Sequence, residues 1–137
     1  MTDFEEGFLV GILVGEGHFG GDGLQAQVTL RMHVRHEELF QWLLAMMPGS
    51  KLYGPYHHGG RNYYQWMSRG ASLHEELLPI LLRRLDVVDA HTRQRIEEMA
   101  THYKLVEKVE GHWRLMAPSD KSARSKRRSP RRDGASG

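Results

Sequence analysis

The arrangement in this sequence best suited to chemistry is a carboxylate at the end of an apolar helix. Residues 8–19 read Phe-Leu-Val-Gly-Ile-Leu-Val-Gly-Glu-Gly-His-Phe, with two glycines four residues apart before Glu16. Each helical glycine costs about 1 kcal/mol relative to alanine, so the pair indicates a close approach of another backbone. Because the C-terminal end of a helix is negative, a carboxylate there needs a cation. Glu16 is therefore a candidate metal ligand, the alternative being a surface acid that closes a buried helix.

A second group of side chains could read DNA. Residues 24–35 alternate strictly between apolar and polar, which predicts a strand with one buried and one open face. Arginine pairs with guanine edges and glutamine with adenine edges, and a two-stranded ribbon fits the major groove. The alternative is an ordinary solvated sheet face. The open face carries the candidate DNA contacts Gln25, Gln27, Thr29, Arg31, His33 and Arg35.

A second predicted hairpin, 51–57 and 62–69, would extend this face. The two adjacent histidines at its tip, His57 and His58, fit an exposed loop or a phosphate or base contact better than a zinc site, which needs more closely matched ligands. The candidate DNA contacts from this hairpin are Lys51, Tyr53, His57, Arg61, Tyr63, Gln65 and Arg69.

The elements that position these residues alternate between helices and strand pairs. Gly20-Gly21-Asp22-Gly23 predicts the turn of the first hairpin, and Pro48-Gly49 ends a helix over 37–47. Ser72-Leu73-His74-Glu75 is a capping-box pattern, with Pro79 splitting the helix it opens. Asp89 should cap a last helix that reaches residue 107. The prediction is an α+β fold of order α-β-β-α-β-β-α, followed by a further helix, with a four-stranded antiparallel sheet and helices on one face.

Composition narrows the classes of protein. The 137 residues contain no cysteine, which excludes disulfides and thiolate metal sites. No apolar run approaches the roughly 20 residues that span a bilayer, so we expect no membrane partner. The acidic start does not resemble a signal peptide, and an intracellular protein is expected.

Charge divides the chain into two parts. Residues 117–137 hold seven basic and two acidic residues, net +5, whereas residues 1–116 hold 12 basic and 15 acidic residues, net −3. We predict one domain over 1–116 and a disordered basic tail over 117–137, either a nucleic-acid arm or a solubilising terminus.

Residues 9–19 carry a family resemblance. Leu9, Gly11 and Gly17 match the signature of the LAGLIDADG homing endonucleases, and the ending Gly-Glu-Gly-His-Phe is a familiar variant of it. Ile12, Leu13, Gly15 and Glu16 are conservative replacements, while Val14 replaces an acidic position that is usually not the metal ligand. The predicted element order over residues 4–85 matches the saddle-shaped fold of that family.

The resemblance implies a homodimer, because the family packs two signature helices together and this sequence has one copy of the motif. The interface would comprise Phe8, Gly11, Ile12 and Gly15. Glu16, with Gly15, would hold Mg²⁺ or Mn²⁺, with Ca²⁺ as a substitute that does not support cleavage. Arg83 and Arg84 would be supporting catalytic residues. The implied activity is double-strand cleavage of a palindromic or near-palindromic DNA site, in support of the homing of a mobile intron or similar element.

The implied partners are double-stranded DNA and a second copy of the chain, with no small-molecule substrate. The implied location is the cytoplasm or nucleoid of a bacterium or phage-infected cell, or an organelle. The first rival is an inactive DNA-binding regulator or splicing maturase on the same fold, which the net acidity of residues 1–116 favours and Glu16 disfavours. The second is a structural or protein-binding α+β domain.

Overall fold

The computed structural model describes residues 1–116, so the predicted tail lies outside the described residues. The chain forms α1 (Asp3–Glu16), β1 (Gly17–Gly21), β2 (Ala26–His33), α2 (Glu37–Met46), β3 (Lys51–His58) and β4 (Arg61–Arg69). A π-helical turn (Ser72–Leu77) leads into α3 (Leu78–Arg83), followed by α4 (Ala90–His102), β5 (Val106–Val109) and β6 (His112–Leu115). Single 3₁₀ turns lie at Val34–His36 and Leu85–Val87. The predicted α+β order is confirmed through α3.

Four strands form one antiparallel sheet in the order β1-β2-β4-β3, so β2 and β4 are the inner strands. Alternation sets the two faces: Val28 and Leu30 are fully buried, and Trp66 lies opposite Leu30 on the same face. The core is completed by apolar residues of the helices, among them Leu9, Leu13, Phe40, Leu43, Leu77 and Leu81. The helices thus cover one face of the sheet, as predicted.

Helix α1 is fixed at both ends by its sequence. Thr2 caps it through a reciprocal capping box with Glu5. At the other end, a Cβ on Gly17 would lie 2.7 Å from the main-chain oxygen of Leu13. Only glycine fits this abrupt passage from helix into β1, which leaves Glu16 at the junction.

Several local predictions were wrong. Leu24 is 64% exposed in the β1–β2 turn rather than buried in β2. Ser72 does not cap a helix, since its hydroxyl bonds that of Ser68 and the chain is already helical at Ala71. The last helix ends at His102 rather than residue 107, because Lys104 adopts a left-handed conformation (φ 57°) and the chain turns into the β5–β6 hairpin.

Candidate nucleic-acid interface and carboxylate site

One face of α1 is open. An added Cβ at Gly7, Gly11 or Gly15 would meet no atom within 4 Å, so the single chain leaves space beside each glycine of this stripe. Phe4 is 82% exposed and Val14 is 40% exposed beside the stripe. An apolar helix face of this kind is normally covered.

The structure divides the four predicted interface residues. Gly11 and Gly15 lie on the open face, whereas Ile12 is partly buried against the core. Phe8 is 46% exposed, and its ring packs edge-on against Trp42 at 5.4 Å between centroids. Gly7 and Gly11 line one side of a groove, and residues outside α1, including Arg84, Val87 and Val88, line the other.

Glu16 is exposed at the C-terminal end of α1, and the last turn of the helix contains no basic residue. The carboxylate therefore adds negative charge to the negative end of the helix dipole. Within residues 1–116, no three His, Asp or Glu side chains are grouped closely enough to hold a metal ion.

The structure does not bring Arg83 or Arg84 to Glu16. Arg83 Nη2 donates to Glu6 Oε2 at 2.7 Å, and Arg84 Nε donates to Glu6 Oε1 at 3.0 Å. Glu6 is ten residues before Glu16, which is about 15 Å along the helix. These positions do not support the catalytic role predicted for the two arginines, which instead tie α3 to the start of α1.

The open face of the sheet carries most of the predicted DNA contacts. Pairing of β2 with β4 places Gln27 opposite Arg69, Arg31 opposite Gln65, and His33 opposite Tyr63. Pairing of β3 with β4 adds Lys51, opposite Met67, and Tyr53, opposite Gln65. The residues that this register places on the open face are Gln27, Thr29, Arg31, His33, Lys51, Tyr53, Arg61, Tyr63, Gln65 and Arg69.

Two predicted contacts flank the sheet instead of lying in it. Gln25 precedes β2, in the turn that Asp22 organises by accepting hydrogen bonds from the main-chain N–H groups of Leu24 and Gln25. These bonds, with that of Gln25 first, lower the pKa of Asp22. Arg35 lies in the 3₁₀ turn after β2, where its N–H donates to His33 Nδ1.

A β-bulge changes which residues of β3 share the open face. The register with β4 shifts between Tyr53 and Tyr56, which inserts the Gly54-Pro55 step. Because side chains alternate, the extra residue moves Tyr56 and His58 to the face of Tyr53 and sends His57 to the other. His57 Nδ1 instead contacts Asn62 Oδ1, its cross-strand partner.

Sequence reasoning therefore missed Tyr56 and His58, together with His18 and Met67, which lie opposite and beside Thr29 on the open face. A glycine-proline pair inside a strand signals a bulge and could have revealed the shift. His18 and Met67 needed the pairing register itself.

The four strands contain no Asp or Glu. They contain Arg31, Lys51, Arg61 and Arg69, together with four histidines. All 15 acidic residues of 1–116 lie in helices, turns and the β5–β6 hairpin. The net acidity of this part of the chain therefore does not extend to the strands of the sheet, whose local charge is positive.

Three solved structures share this architecture, each with a TM-score of 0.62. The match covers 76% of this chain and 56% of the group I intron-encoded homing endonuclease I-CeuI, which was solved with DNA, at 15% identity. It covers 77% of this chain and 37% of the LAGLIDADG homing endonuclease I-GzeII, solved with its DNA target, at 12% identity. This chain has the fold of the LAGLIDADG homing endonucleases.

The third structure is the archaeal intron-encoded homing endonuclease I-Vdi141I, also solved with DNA. The match covers 74% of this chain and 68% of I-Vdi141I, at 13% identity. This chain thus spans about half of I-CeuI and little more than a third of I-GzeII. Neither a protein-family model nor a curated protein matches the sequence. None of the helices in the described part is long and apolar enough to cross a membrane.

Proposed function

We propose that this chain is a site-specific DNA endonuclease that acts as a homodimer and uses Glu16 to bind a divalent metal. The observation that carries the proposal is the position of Glu16, an exposed carboxylate between the open face of α1 and the sheet strands that lack acidic residues. Glu16 is two residues from His18, which lies on the open face of the sheet. The carboxylate thus stands at the edge of the surface that suits DNA.

The open face of α1 supports the dimer. Gly11 and Gly15 expose main chain and would let an identical helix approach closely across a two-fold axis. Phe4 and Val14 would be covered by the same contact. The two Glu16 carboxylates would then be neighbours at the foot of the paired helices, where their repulsion requires a cation.

The donors at this position fit a hard divalent cation. Carboxylate and main-chain oxygens are the ligands that Mg²⁺ prefers, and Mn²⁺ accepts the same set. Glu16 would hold the metal from each chain, with the main-chain oxygen of Gly15 as a further donor. A bound metal would activate water and stabilise the leaving oxygen of a phosphodiester.

The open sheet face would bind the major groove. Its arginines, glutamines and histidines offer hydrogen bonds to base edges, and its lysine and arginines offer contacts to phosphate. A two-fold dimer presents this face twice, so the target would be palindromic or nearly so. Cleavage of such a site would support the homing of an intron or similar element.

Glu16→Gln tests the proposal. The substrate is a duplex enriched by wild-type protein from a randomised library, incubated with Mg²⁺ or Mn²⁺. We expect cleavage to fall at least about 100-fold, or about 2.7 kcal/mol in barrier, while the DNA dissociation constant stays within about threefold. Glu75→Gln, at an exposed position in the π-helical turn, is the matched control and should cut normally.

The outcomes separate the rivals. Wild-type protein that binds its selected duplex but cuts it with neither metal would establish a DNA-binding regulator. Wild-type protein that binds no DNA would favour the protein-binding domain. Cleavage by Glu16→Gln at the wild-type rate would remove Glu16 from the chemistry.

A further inference from the structure

We propose that Arg31, held in place by Gln65, recognises a guanine in each half of the DNA target. The assignment rests on the proposed function, because it concerns the same sheet face. It goes further by naming a base and the two side chains that select it.

Arg31 is fixed by its neighbours on the two inner strands. Arg31 and Gln65 are direct cross-strand partners, and Gln65 Oε1 accepts from Arg31 Nε at 2.6 Å. The Tyr63 ring, on the same face, has its centroid 6.0 Å from Arg31 Cζ. Arg31 is nevertheless exposed. The arrangement uses Nε and leaves the two terminal Nη groups as donors for a ligand.

Two parallel donors match one base best. Guanine presents two acceptors, N7 and O6, in the major groove, whereas adenine replaces O6 with an amino donor. Thymine presents one acceptor beside a methyl group, and cytosine presents a donor. Among the four bases, an arginine whose Nε is already bonded to Gln65 therefore pairs best with guanine, end-on through its two Nη groups.

Position favours a base over a phosphate, which also accepts two hydrogen bonds. Arg31 lies on inner strand β2, where β4 and then β3 flank it on one side, while β1 pairs with β2 only as far as Leu30, opposite Gly17. In a ribbon that enters the major groove, central side chains face base edges and peripheral ones face the backbone. Lys51 on edge strand β3 and Arg69 at the end of β4 occupy the peripheral positions.

Gln65 acts in this assignment as a positioning residue. By holding the guanidinium before DNA arrives, it reduces the ordering that binding would otherwise require. Loss of the Gln65 side chain should therefore weaken the preference for guanine over other bases more than it lowers overall affinity for DNA. Gln65→Glu keeps an acceptor for Nε, whereas Gln65→Leu removes it.

The experiment selects bound sequences from a randomised duplex library with the full chain, without Mg²⁺. When the selected sequences are aligned, we expect guanine to be enriched at one position in each half-site. This preference should disappear in Arg31→Ala, while the preferences at the other positions persist. Gln65→Leu should weaken the preference for guanine at that position, and Gln65→Glu, which keeps an acceptor for Arg31 Nε, should restore it. Lys51→Ala is the control, and should lower affinity for all sequences alike.

Atom substitution in the selected site then identifies the contact. Replacing the guanine by 7-deazaguanine removes N7 and should weaken wild-type binding roughly fivefold or more, with no effect on Arg31→Ala. Inosine keeps N7 and O6 and should bind normally. The assignment of Arg31 is overturned, without affecting the proposed function, if Arg31→Ala leaves a sharp wild-type motif intact. It is also overturned if wild-type binding does not change with 7-deazaguanine. A wild-type chain that enriches no sequence overturns the proposed function with it.

Discussion

Glu6 and Glu16 lie on the same helix in opposite electrostatic surroundings. Glu6 is buried and makes salt bridges to Arg83 and Arg84 at 2.7 and 2.9 Å, and Arg84 also reaches Asp3. Glu16 is exposed at the negative end of the helix. The first carboxylate therefore fixes α1 against α3, and the second is available to a ligand.

Glu6→Gln should make stability depend less on pH. The hydrogen bond from Arg83, followed by that from Arg84, lowers the pKa of Glu6 below its ordinary value of 4.5. A lowered carboxyl pKa stabilises the fold above the ordinary value and loses that contribution as pH falls through the folded value. We expect the variant to lose about 1–3 kcal/mol at pH 7, discounted because Arg83 is half exposed. The difference from wild type should shrink below pH 4.5.

Urea denaturation of both proteins at pH 7 and at pH 3 measures this difference. Glu38→Gln, exposed in the first turn of α2, is the control and should change stability little at either pH. An equal loss at both values would mean that packing, and not the ion pair, explains the effect of Glu6→Gln.

The sequence predicted that Glu16 lies at the end of α1 because the signal is local: an apolar run, two glycines and an abrupt end. It could not locate the role of Arg83 and Arg84, which pair with a residue 77 and 78 positions earlier in the chain. A pairing at that separation leaves no periodic trace, and Glu6 looked like one more acid in the first turn. The strand register that pairs Arg31 with Gln65 could not be predicted from the sequence for the same reason.

At the scale of elements, α1 has glycines that the single chain does not require. Gly11→Leu places its Cβ where nothing lies within 4 Å, at an open groove, so the monomer should fold as well or better, since leucine favours helix over glycine. The proposed dimer should weaken at least about tenfold, because a leucine there keeps the second helix away. Sedimentation velocity over a concentration series measures the association.

Gln94→Leu places the same side chain at an exposed position of α4 and should leave the association unchanged. If Gly11→Leu dimerises like wild type, or wild type is a monomer at micromolar concentration with and without DNA, α1 is not the dimer interface. Thermal unfolding of both variants would show whether either effect comes from misfolding.

The second hairpin shows how one element can be predicted while its faces are not. Its strands were expected at 51–57 and 62–69 and occur at Lys51–His58 and Arg61–Arg69. The bulge between Tyr53 and Tyr56 then reverses the faces of the remaining residues of β3, Tyr56 to His58, relative to the prediction. The β5–β6 hairpin was missed more completely, because a lysine at φ 57°, rather than a glycine, follows the end of α4.

His58→Ala and His57→Ala should therefore differ in DNA binding. We expect His58→Ala to weaken binding roughly fivefold, about 1 kcal/mol for one lost contact, whereas His57→Ala stays near wild type. Fluorescence anisotropy with the selected duplex makes the comparison, and Tyr56→Ala should behave like His58→Ala. A stronger effect of His57→Ala would place the original, unbulged face against DNA.

At the scale of the whole molecule, charge is segregated. The acidic residues lie outside the four strands, and the strands themselves carry four lysines and arginines. The net charge of residues 1–116 therefore does not describe the surface that DNA would meet. It does not favour the inactive DNA-binding regulator or splicing maturase over the nuclease. A searching protein needs positive potential only on the face that meets phosphate.

Residues 117–137 carry seven more basic residues, and their deletion tests whether the chain uses them on DNA. Each lysine or arginine that neutralises a phosphate adds about 0.9 to the slope of log affinity against log salt. Loss of even three such contacts per chain should flatten the slope by about 2.7 per chain and weaken binding to all sequences alike. Anisotropy titrations from 50 to 200 mM salt with selected and random duplexes measure both effects.

A tail of the same composition in scrambled order should restore affinity, since the attraction is electrostatic, whereas a neutral tail of equal length should not. An unchanged slope after deletion would mean that these residues only keep the protein in solution.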